Sequence, residues 1–254
     1  MQTTEREPLS TLNQGLLNPL IEVHLNLDPA IDWHHIARTI KFMSYELVTN
    51  GRGRTENEHA AMLNQFVFNQ KEFKIGESVL LNELIATRES CAMLLALFYI
   101  ELGASLGLKF CLMHSPPHST LRWQSVDGKL RYLDLSLKGK ELSSEEILAL
   151  LSRKNDQMRA LTDREAFQQY LAYLATHFRA RRESERLHVV LNFILNLEPE
   201  NTRYIAERAL LRKELGLIKD ALYDMKRFFA FTEPAAVSPE ILRMYEDLKA
   251  MSPS

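Results

Sequence analysis

The run from Cys91 to Leu108 (CAMLLALFYIELGASLGL) constrains the fold more than any other segment of this chain. Its ten residues up to Ile100 are all apolar, which is about half the length that a membrane-spanning helix needs. Ser90 is placed to cap a helix here, and Gly107 to end it. Because a helix that is apolar on nearly every face must be covered on all sides, the sequence predicts a central buried helix in a globular domain.

Composition and charge exclude several classes of protein. The chain has 254 residues, of which 46% are hydrophobic and 25% charged, so it can bury the core of one or two domains without a disulfide or metal staple. A net charge of -2 argues against electrostatic binding to nucleic acid or to an anionic membrane. Two cysteines, and an N-terminal MQTTEREPLS without the character of a signal peptide, predict a cytoplasmic protein.

The segments on the two sides of the apolar run differ in their predicted structure. The first 85 residues are predicted to be mainly helical, with one helix starting at Asp28-Pro29 and another at the capping box Thr55-x-x-Glu58. After the apolar run, short apolar segments and the hairpin turn Asp127-Gly128 predict an antiparallel sheet. Its strands are expected at Phe110 to Met113, Ser119 to Val126 and Lys129 to Leu135.

The chain after Ser143 is predicted to be helical to its end. Leu187 to Pro199 and Leu222 to Pro234 align at an offset of 35 residues, and each segment ends with Glu-Pro. This spacing is typical of helix-turn-helix repeats of about 34 residues. The sequence therefore predicts two domains, an α+β domain at residues 1–155 and an all-α domain at residues 163–254.

Three residues around the apolar run have the chemistry of a thiol acyl-transfer site. Cys91 begins the buried helix, where the positive end of the helix dipole favours a thiolate. His118, on a following strand, would act as the general base, and Asp134, on the next strand, would orient its imidazole. Each also has an ordinary structural interpretation. A buried cysteine can be core packing, the histidine a polar residue at a strand start, and the aspartate a cap for the loop after it.

The geometry of this triad depends on the register of the hairpin. A two-residue loop at Asp127-Gly128 would pair residue 121 with 134 and leave His118 and Asp134 on opposite faces of the sheet. A three-residue loop from Val126 to Gly128 would pair residue 120 with 134 and place the two side chains diagonally on one face. The triad therefore requires the second register or a bulge.

A metal site is the competing interpretation of the same region. Cys111, His114 and His118 offer three ligands within eight residues, but zinc sites usually have a fourth ligand, for which only Cys91 or Asp134 is at hand. The prolines before His118 also interrupt the segment. The sequence contains no phosphate-binding loop and no dinucleotide-binding motif, and we expect neither a metal nor another cofactor.

The order of these features resembles the core of the transglutaminase-like superfamily, which has a papain-type Cys-His-Asp site. A closer resemblance is to the SirB-type family of bacterial proteins, in which a transglutaminase-like domain precedes a TPR-like tail. The resemblance implies a central buried helix on an antiparallel sheet, a helical N-terminal part, and an all-α TPR-like tail. The matching segments are Leu81 to Leu84, Arg88, Leu97 to Leu108, His118 to Arg122, Leu133-Asp134 and Asn196 to Pro234.

The chain departs from these families at three points. SirB-type proteins usually carry a glycine-containing segment after the arginine, often without a cysteine, where this chain has Ser90-Cys91. The strand after His118 reads Ser-Thr-Leu-Arg-Trp instead of the superfamily's usual His-Ala-Trp pattern. Asp134 is followed by leucine, whereas the superfamily usually has Leu-Asp-Pro.

Two functional hypotheses follow. In the first, the protein is a cysteine-dependent amidase, protease or transglutaminase, in which Cys91 attacks an amide carbonyl of a protein or peptide substrate. In the second, the transglutaminase-like domain is a non-catalytic scaffold, and the helical tail at residues 163–254 binds a protein or peptide partner. Neither hypothesis involves nucleic acid or a membrane.

Overall fold

The structure, a computed structural model, describes residues 15–114, 119–153, 159–233 and 237–251. The helices are α1 (Leu17–Leu27), α2 (Trp33–Asn50), α3 (Glu56–Gln65), α4 (Leu81–Thr87), α5 (Ala92–Ser105), α6 (Ser144–Arg153), α7 (Asp163–Arg181), α8 (Ser184–Leu197), α9 (Thr202–Glu214), α10 (Ile218–Ala230) and α11 (Pro239–Met251). The strands are β1 (Lys74–Ile75), β2 (Glu89–Ser90), β3 (Phe110–Leu112), β4 (Thr120–Gln124), β5 (Leu130–Asp134) and β6 (Lys140–Glu141). A π-helical turn (Phe66–Gln70) follows α3, and a 3-10 turn (Leu135–Leu137) follows β5.

The second helix begins later than its sequence pattern predicts. Asp28 N still donates to His24 O, which ends α1, so the prediction of a helix start at Asp28-Pro29 is wrong. The cap of α2 is Asp32, whose Oδ1 accepts a hydrogen bond from His35 N at 3.0 Å. Residues 28–32 therefore form the turn between the two helices, and α2 starts directly after its own aspartate cap.

α5 is the central buried helix that the sequence predicts. Its residues from 93 to 100 are all buried, and it packs against one face of a four-stranded antiparallel sheet with the order β3-β4-β5-β6. Tyr99 meets Phe110 edge-on with ring centroids 5.3 Å apart, and a Cβ on Gly103 would lie 2.8 Å from the same ring. Glycine at 103 thus allows the close approach of helix and sheet, and the predicted α+β packing is confirmed.

The hairpin between β4 and β5 has the register that the triad requires. Thr120 pairs with Asp134, and Ser125 N donates to Lys129 O at 3.0 Å, so the loop consists of residues 126–128. Gly128 has a left-handed φ of 78°, a conformation that glycine adopts without the strain a Cβ would cause. Asp127 does not have the left-handed φ that a two-residue type I′ loop requires at both of its central residues, so the loop is the three-residue one.

The C-terminal helices have a core of their own. The side chains at its centre come from α8, α9, α10 and α11, and they are Leu195, Ile205, Ala209, Ala221, Met225, Phe228, Met244 and Leu248. A buried ion cluster joins α9 to α10. Asp224 is fully buried and accepts hydrogen bonds from Arg208 at 2.6 and 2.8 Å and from Arg212 at 2.7 Å. This cluster satisfies charges that would otherwise be costly in a core.

The chain divides into two compact units, one spanning Ser10–Tyr170 and a C-terminal one that contains Leu171–Ser254. The boundary between them falls within α7. The predicted domains at residues 1–155 and 163–254 differ from this division, and they stay a prediction. In the described part of the chain, none of the helices combines the length and the apolar character needed to cross a bilayer.

Candidate active site around Cys91

Cys91 occupies the N-cap position of α5, directly before the first helical turn. Its backbone is extended (φ -57°, ψ 153°), and the residue is 4% exposed. The prediction that Ser90 caps a helix starting at Cys91 is wrong, because Ser90 belongs to β2, where its carbonyl accepts from Gly76 N at 2.8 Å. Cys91 is therefore the residue at the helix N-terminus, where backbone N–H groups without helical acceptors make the surroundings electropositive.

The segment before α4 holds the backbone of Cys91 from one side. Cys91 N donates to Ser78 O at 2.6 Å, and the next carbonyl, that of Val79, accepts from the Tyr170 hydroxyl at 2.6 Å. The same hydroxyl lies 2.9 Å from Nε2 of His24, which is fully buried. Burial lowers the pKa of His24 to about 4, so the network is uncharged at neutral pH. A chain of buried hydrogen bonds thus fixes the segment to which the cysteine is attached.

The end of β5 lies at the same end of its compact unit as the start of α5. Gly103, near the end of α5, packs against Phe110 at the start of β3, so the helix and β3 run in opposite directions. β5 is parallel to β3, because each pairs with β4 in an antiparallel manner. Asp134, the last residue of β5, therefore lies at the sheet end nearest the start of α5. The 3-10 turn that follows it contacts both α5 and β1.

Asp134 caps the turn that follows it. Its Oδ1 accepts hydrogen bonds from Ser136 N at 2.8 Å and from the Ser136 hydroxyl at 2.6 Å. No residue within the described ranges donates to its Oδ2. The structural interpretation of this aspartate is therefore confirmed, and one carboxylate oxygen remains for an imidazole.

The face of the sheet that carries Asp134 differs from the face that α5 covers. Opposed residues of an antiparallel pair share a face, so Asp134 lies with Thr120, whereas Leu121 and Leu133 lie with Phe110 against α5. An imidazole that joins Cys91 to Asp134 must therefore pass around the end of the sheet, because the core blocks the direct path.

His118, the predicted general base, lies outside the described residues. Its two partners in the competing metal hypothesis are described. Cys111 lies on β3, and His114 Nδ1 accepts from Gln169 Nε2 at 3.0 Å. Across the parts of the chain that the structure describes, no three histidine, cysteine, aspartate or glutamate residues converge as a metal site. The structure thus brings Cys91 and Asp134 to one end of the sheet, and the role of His118 stays a prediction.

Arg88 adds a cation close to Cys91 in the chain, and no argument from the sequence pattern alone singled it out. It ends α4 with a left-handed φ of 66°, and its guanidinium lies over the ring of Phe73, 5.0 Å from the centroid. Its Nη1 is buried and has no hydrogen-bond partner among the described residues. Arg88 is half-buried, and its positive charge lies three residues before Cys91 in the chain.

A cleft of about 440 Å³ lies between α3 and the strands β4, β5 and β6. No sequence motif joins its two walls, which come from residues 57–64 and 123–141, so the cleft was not predicted. The one signal was the spacing of Asn57 and Asn64, which places both amides on one face of a helix. The residues that line this α3–β6 cleft are Asn57, Ala60, Ala61, Asn64, Trp123, Arg131, Leu133, Gly139, Lys140 and Glu141.

A family model described as the transglutaminase-like superfamily matches residues 34–192, more than half of the chain. The chain belongs to the transglutaminase-like superfamily. The matched range includes Cys91, His118 and Asp134, as well as both walls of the α3–β6 cleft. No curated protein and no solved structure matches the chain significantly.

The helix N-terminus at Cys91 provides the electropositive surroundings that a thiolate nucleophile needs. A helix N-terminus stabilises a thiolate and can donate backbone hydrogen bonds to an oxyanion. The hairpin brings a carboxylate, that of Asp134, to the same end of the sheet.

Proposed function

We propose that this protein is a cysteine-dependent acyl-transfer enzyme that acts on an amide bond of a protein or peptide, with Cys91 as its nucleophile. The position of Cys91 is the observation that carries the proposal: it is the N-cap of the central buried helix in a transglutaminase-like superfamily domain. Thiolates at helix N-termini are the common form of catalytic cysteines, because the helix dipole stabilises their negative charge.

The proposed reaction has two halves, the formation of a thioester on Cys91 and the cleavage of that thioester. The Cys91 thiolate attacks the amide carbonyl, and N–H groups at the start of α5 hold the oxyanion. His118 gives its proton to the departing amine, which leaves a thioester on Cys91. His118 then takes a proton from water or from a second amine, which attacks the thioester and restores the thiolate. Asp134 orients the imidazole through its Oδ2.

The rate of alkylation tests whether Cys91 is activated. We expect iodoacetamide to modify Cys91 in a Cys111→Ala protein with an apparent thiol pKa well below about 8.5, the value of an unperturbed cysteine. In the His118→Ala protein the apparent pKa should rise, because the thiolate loses its imidazolium partner. A thiol that stays silent from about pH 5 to about pH 9 until urea unfolds the protein would overturn the proposal.

The second candidate function is a non-catalytic scaffold, which two observations favour. Cys91 is 4% exposed, and Asp134 already uses Oδ1 to cap a turn. In this alternative, the chain is a SirB-type protein whose TPR-like tail binds a protein or peptide partner. Tyr223 on α10, which is 61% exposed, is a suitable contact residue. The scaffold predicts that Tyr223→Ala abolishes partner binding, measured by calorimetry with the purified partner, while Cys91→Ala leaves the affinity unchanged.

A further inference from the structure

The α3–β6 cleft has an unsatisfied amide on its wall. Asn64 Oδ1 is buried and has no hydrogen-bond partner within the described residues. A buried acceptor without a donor is unfavourable, so this oxygen gains from a ligand whose N–H or O–H group reaches it. Asn57 presents a second side-chain amide on the same face of α3, in an exposed position.

Small residues make the space between these two amides. Ala60 and Ala61 lie between Asn57 and Asn64 on the cleft wall, and Ala61 is exposed. Gly139 on the opposite wall has a φ of 70°, and a Cβ there would lie 1.8 Å from Asn64 Oδ1. The cleft and the placement of the Asn64 amide therefore both depend on the absence of larger side chains.

The sheet side of the cleft is an open strand edge. β6 is the last strand of its sheet and pairs only with β5 in the described part of the chain. Leu142 N donates inward to Tyr132 O at 2.8 Å, so the N–H and C=O of the preceding residue, Glu141, point away from β5, as alternate residues of an edge strand do. An extended peptide that lies along β6 would complete this ladder.

The charged side chains at the cleft neutralise one another. Arg131 binds Glu141 through its Nη1 at 2.9 and 3.2 Å and lies over the Trp123 ring, 5.8 Å from the centroid. Lys140 pairs with Glu146 at 2.7 Å. Each charged side chain of the cleft lining therefore has a partner of opposite sign, and the other lining residues are amide or apolar.

We propose that the α3–β6 cleft binds an extended, uncharged peptide segment, with its backbone amides on Asn57, Asn64 and the edge of β6. Gly139 N donates to Asp134 O at 2.9 Å, so one end of the cleft adjoins Asp134 at the end of β5. The role of this peptide as the substrate rests on the proposed function. Binding itself does not depend on the chemistry of Cys91.

The probe for this site is the blocked peptide acetyl-Ala-Ala-Ala-amide. Its binding is measured by NMR of protein labelled with 15N-tryptophan. The chain has two tryptophans. We expect millimolar peptide to shift the indole signal of Trp123 and to leave that of Trp33, which lies outside the cleft lining, unchanged. Asn64→Ala should weaken binding about fivefold, the worth of one hydrogen bond.

Two matched variants test where the peptide binds. Ala61→Leu fills the cleft from an exposed position and should abolish the shift, whereas Ala104→Leu, exposed on α5 away from the cleft lining, should preserve it. An unshifted Trp123 signal, or equal binding in both leucine variants, would overturn the proposal. Alkylation of Cys91 on the same samples separates the two proposals. Peptide binding with an unreactive Cys91 thiol would reject the proposed enzyme and support the peptide site. A reactive thiol without peptide binding would reject the peptide site and support the proposed enzyme.

Discussion

At the scale of single residues, buried polar side chains stabilise the region around Cys91. His24 lies in α1 with its Nδ1 2.6 Å from Leu20 O. Its other nitrogen contacts Tyr170, whose hydroxyl donates to Val79 O. Because the carbonyl before Val79 accepts from Cys91 N, the state of one buried imidazole is linked to the position of the candidate nucleophile.

We predict that this histidine makes the stability of the fold depend on pH. The pKa of His24 is about 4 in the folded protein and 6.5 when the residue is solvated, so the unfolded chain binds the extra proton first as pH falls. The stabilisation is therefore fully present above pH 6.5 and is lost towards about pH 4. The loss is on the order of 3 kcal/mol.

Urea unfolding of wild-type and His24→Asn protein across that range measures the effect. The difference in free energy of unfolding between the two proteins should shrink as pH falls. The comparison is needed because burial raises the pKa of Glu101, which acts in the opposite direction with pH. A difference that stays constant would mean that His24 does not titrate as its burial requires.

The residues of the site were predictable to different degrees. Cys91 and Asp134 have local signals, an apolar helix and a strand, and the structure places them at the N-cap of α5 and at the last position of β5. His24 and Tyr170 form their contact across 146 positions in the sequence, and no local pattern connects them. The capping hydrogen bonds of Asp134 were one of two interpretations that its sequence position allowed.

At the scale of elements, local signals predicted the ends of helices better than the contacts between elements. The predicted capping box of Thr55 with Glu58 is confirmed by its paired hydrogen bonds. Ser143 with Glu146 and Thr162 with Glu165 form the same pair of hydrogen bonds at the starts of α6 and α7. The short parallel pair of β1 and β2 was not predicted, because two-residue strands carry no periodicity. The cleft beside α3 was missed for a similar reason, since its walls meet only in the folded chain.

Two left-handed glycines, Gly128 and Gly139, offer a measurement of how tightly α3 packs against the segment before β6. Gly139→Ala forces an alanine into the left-handed conformation and also places its Cβ 1.8 Å from Asn64 Oδ1. Gly128→Ala forces the same conformation, but nothing lies within 4 Å of its Cβ. We expect Gly128→Ala to lower the free energy of unfolding by about 1 kcal/mol. Gly139→Ala should lower it by at least about 2 kcal/mol, because overpacking adds to the backbone strain.

Urea denaturation of these variants separates the steric cost of the Cβ at position 139 from the cost of the left-handed backbone. Adding Asn64→Ala to Gly139→Ala should recover most of the loss that exceeds the loss in Gly128→Ala. The double variant removes the contact with Asn64, and it keeps the backbone strain and the approach of the Cβ to Phe68 at 3.1 Å. Equal losses in the two single variants would show that Asn64 moves aside without cost.

At the scale of the whole molecule, the chain is a transglutaminase-like superfamily domain followed by further helices. The α+β packing was predictable because one apolar helix had to be covered on all sides, and a hairpin with a left-handed glycine supplied the sheet. The division of the chain was harder to predict, since α7 runs through the boundary between the compact units without a break in its helical pattern. Substrate selection depends on surfaces such as the α3–β6 cleft, which no single segment encodes.

The most direct test of the central claim is the intact mass of the Cys111→Ala protein after incubation with p-nitrophenyl acetate at neutral pH. We expect one acetyl group on Cys91, which is lost with time as the thioester hydrolyses and which Cys91→Ala and His118→Ala proteins do not acquire. A native protein that stays unmodified, while the same protein in urea reacts at its cysteine, would contradict the account and leave Cys91 as core packing.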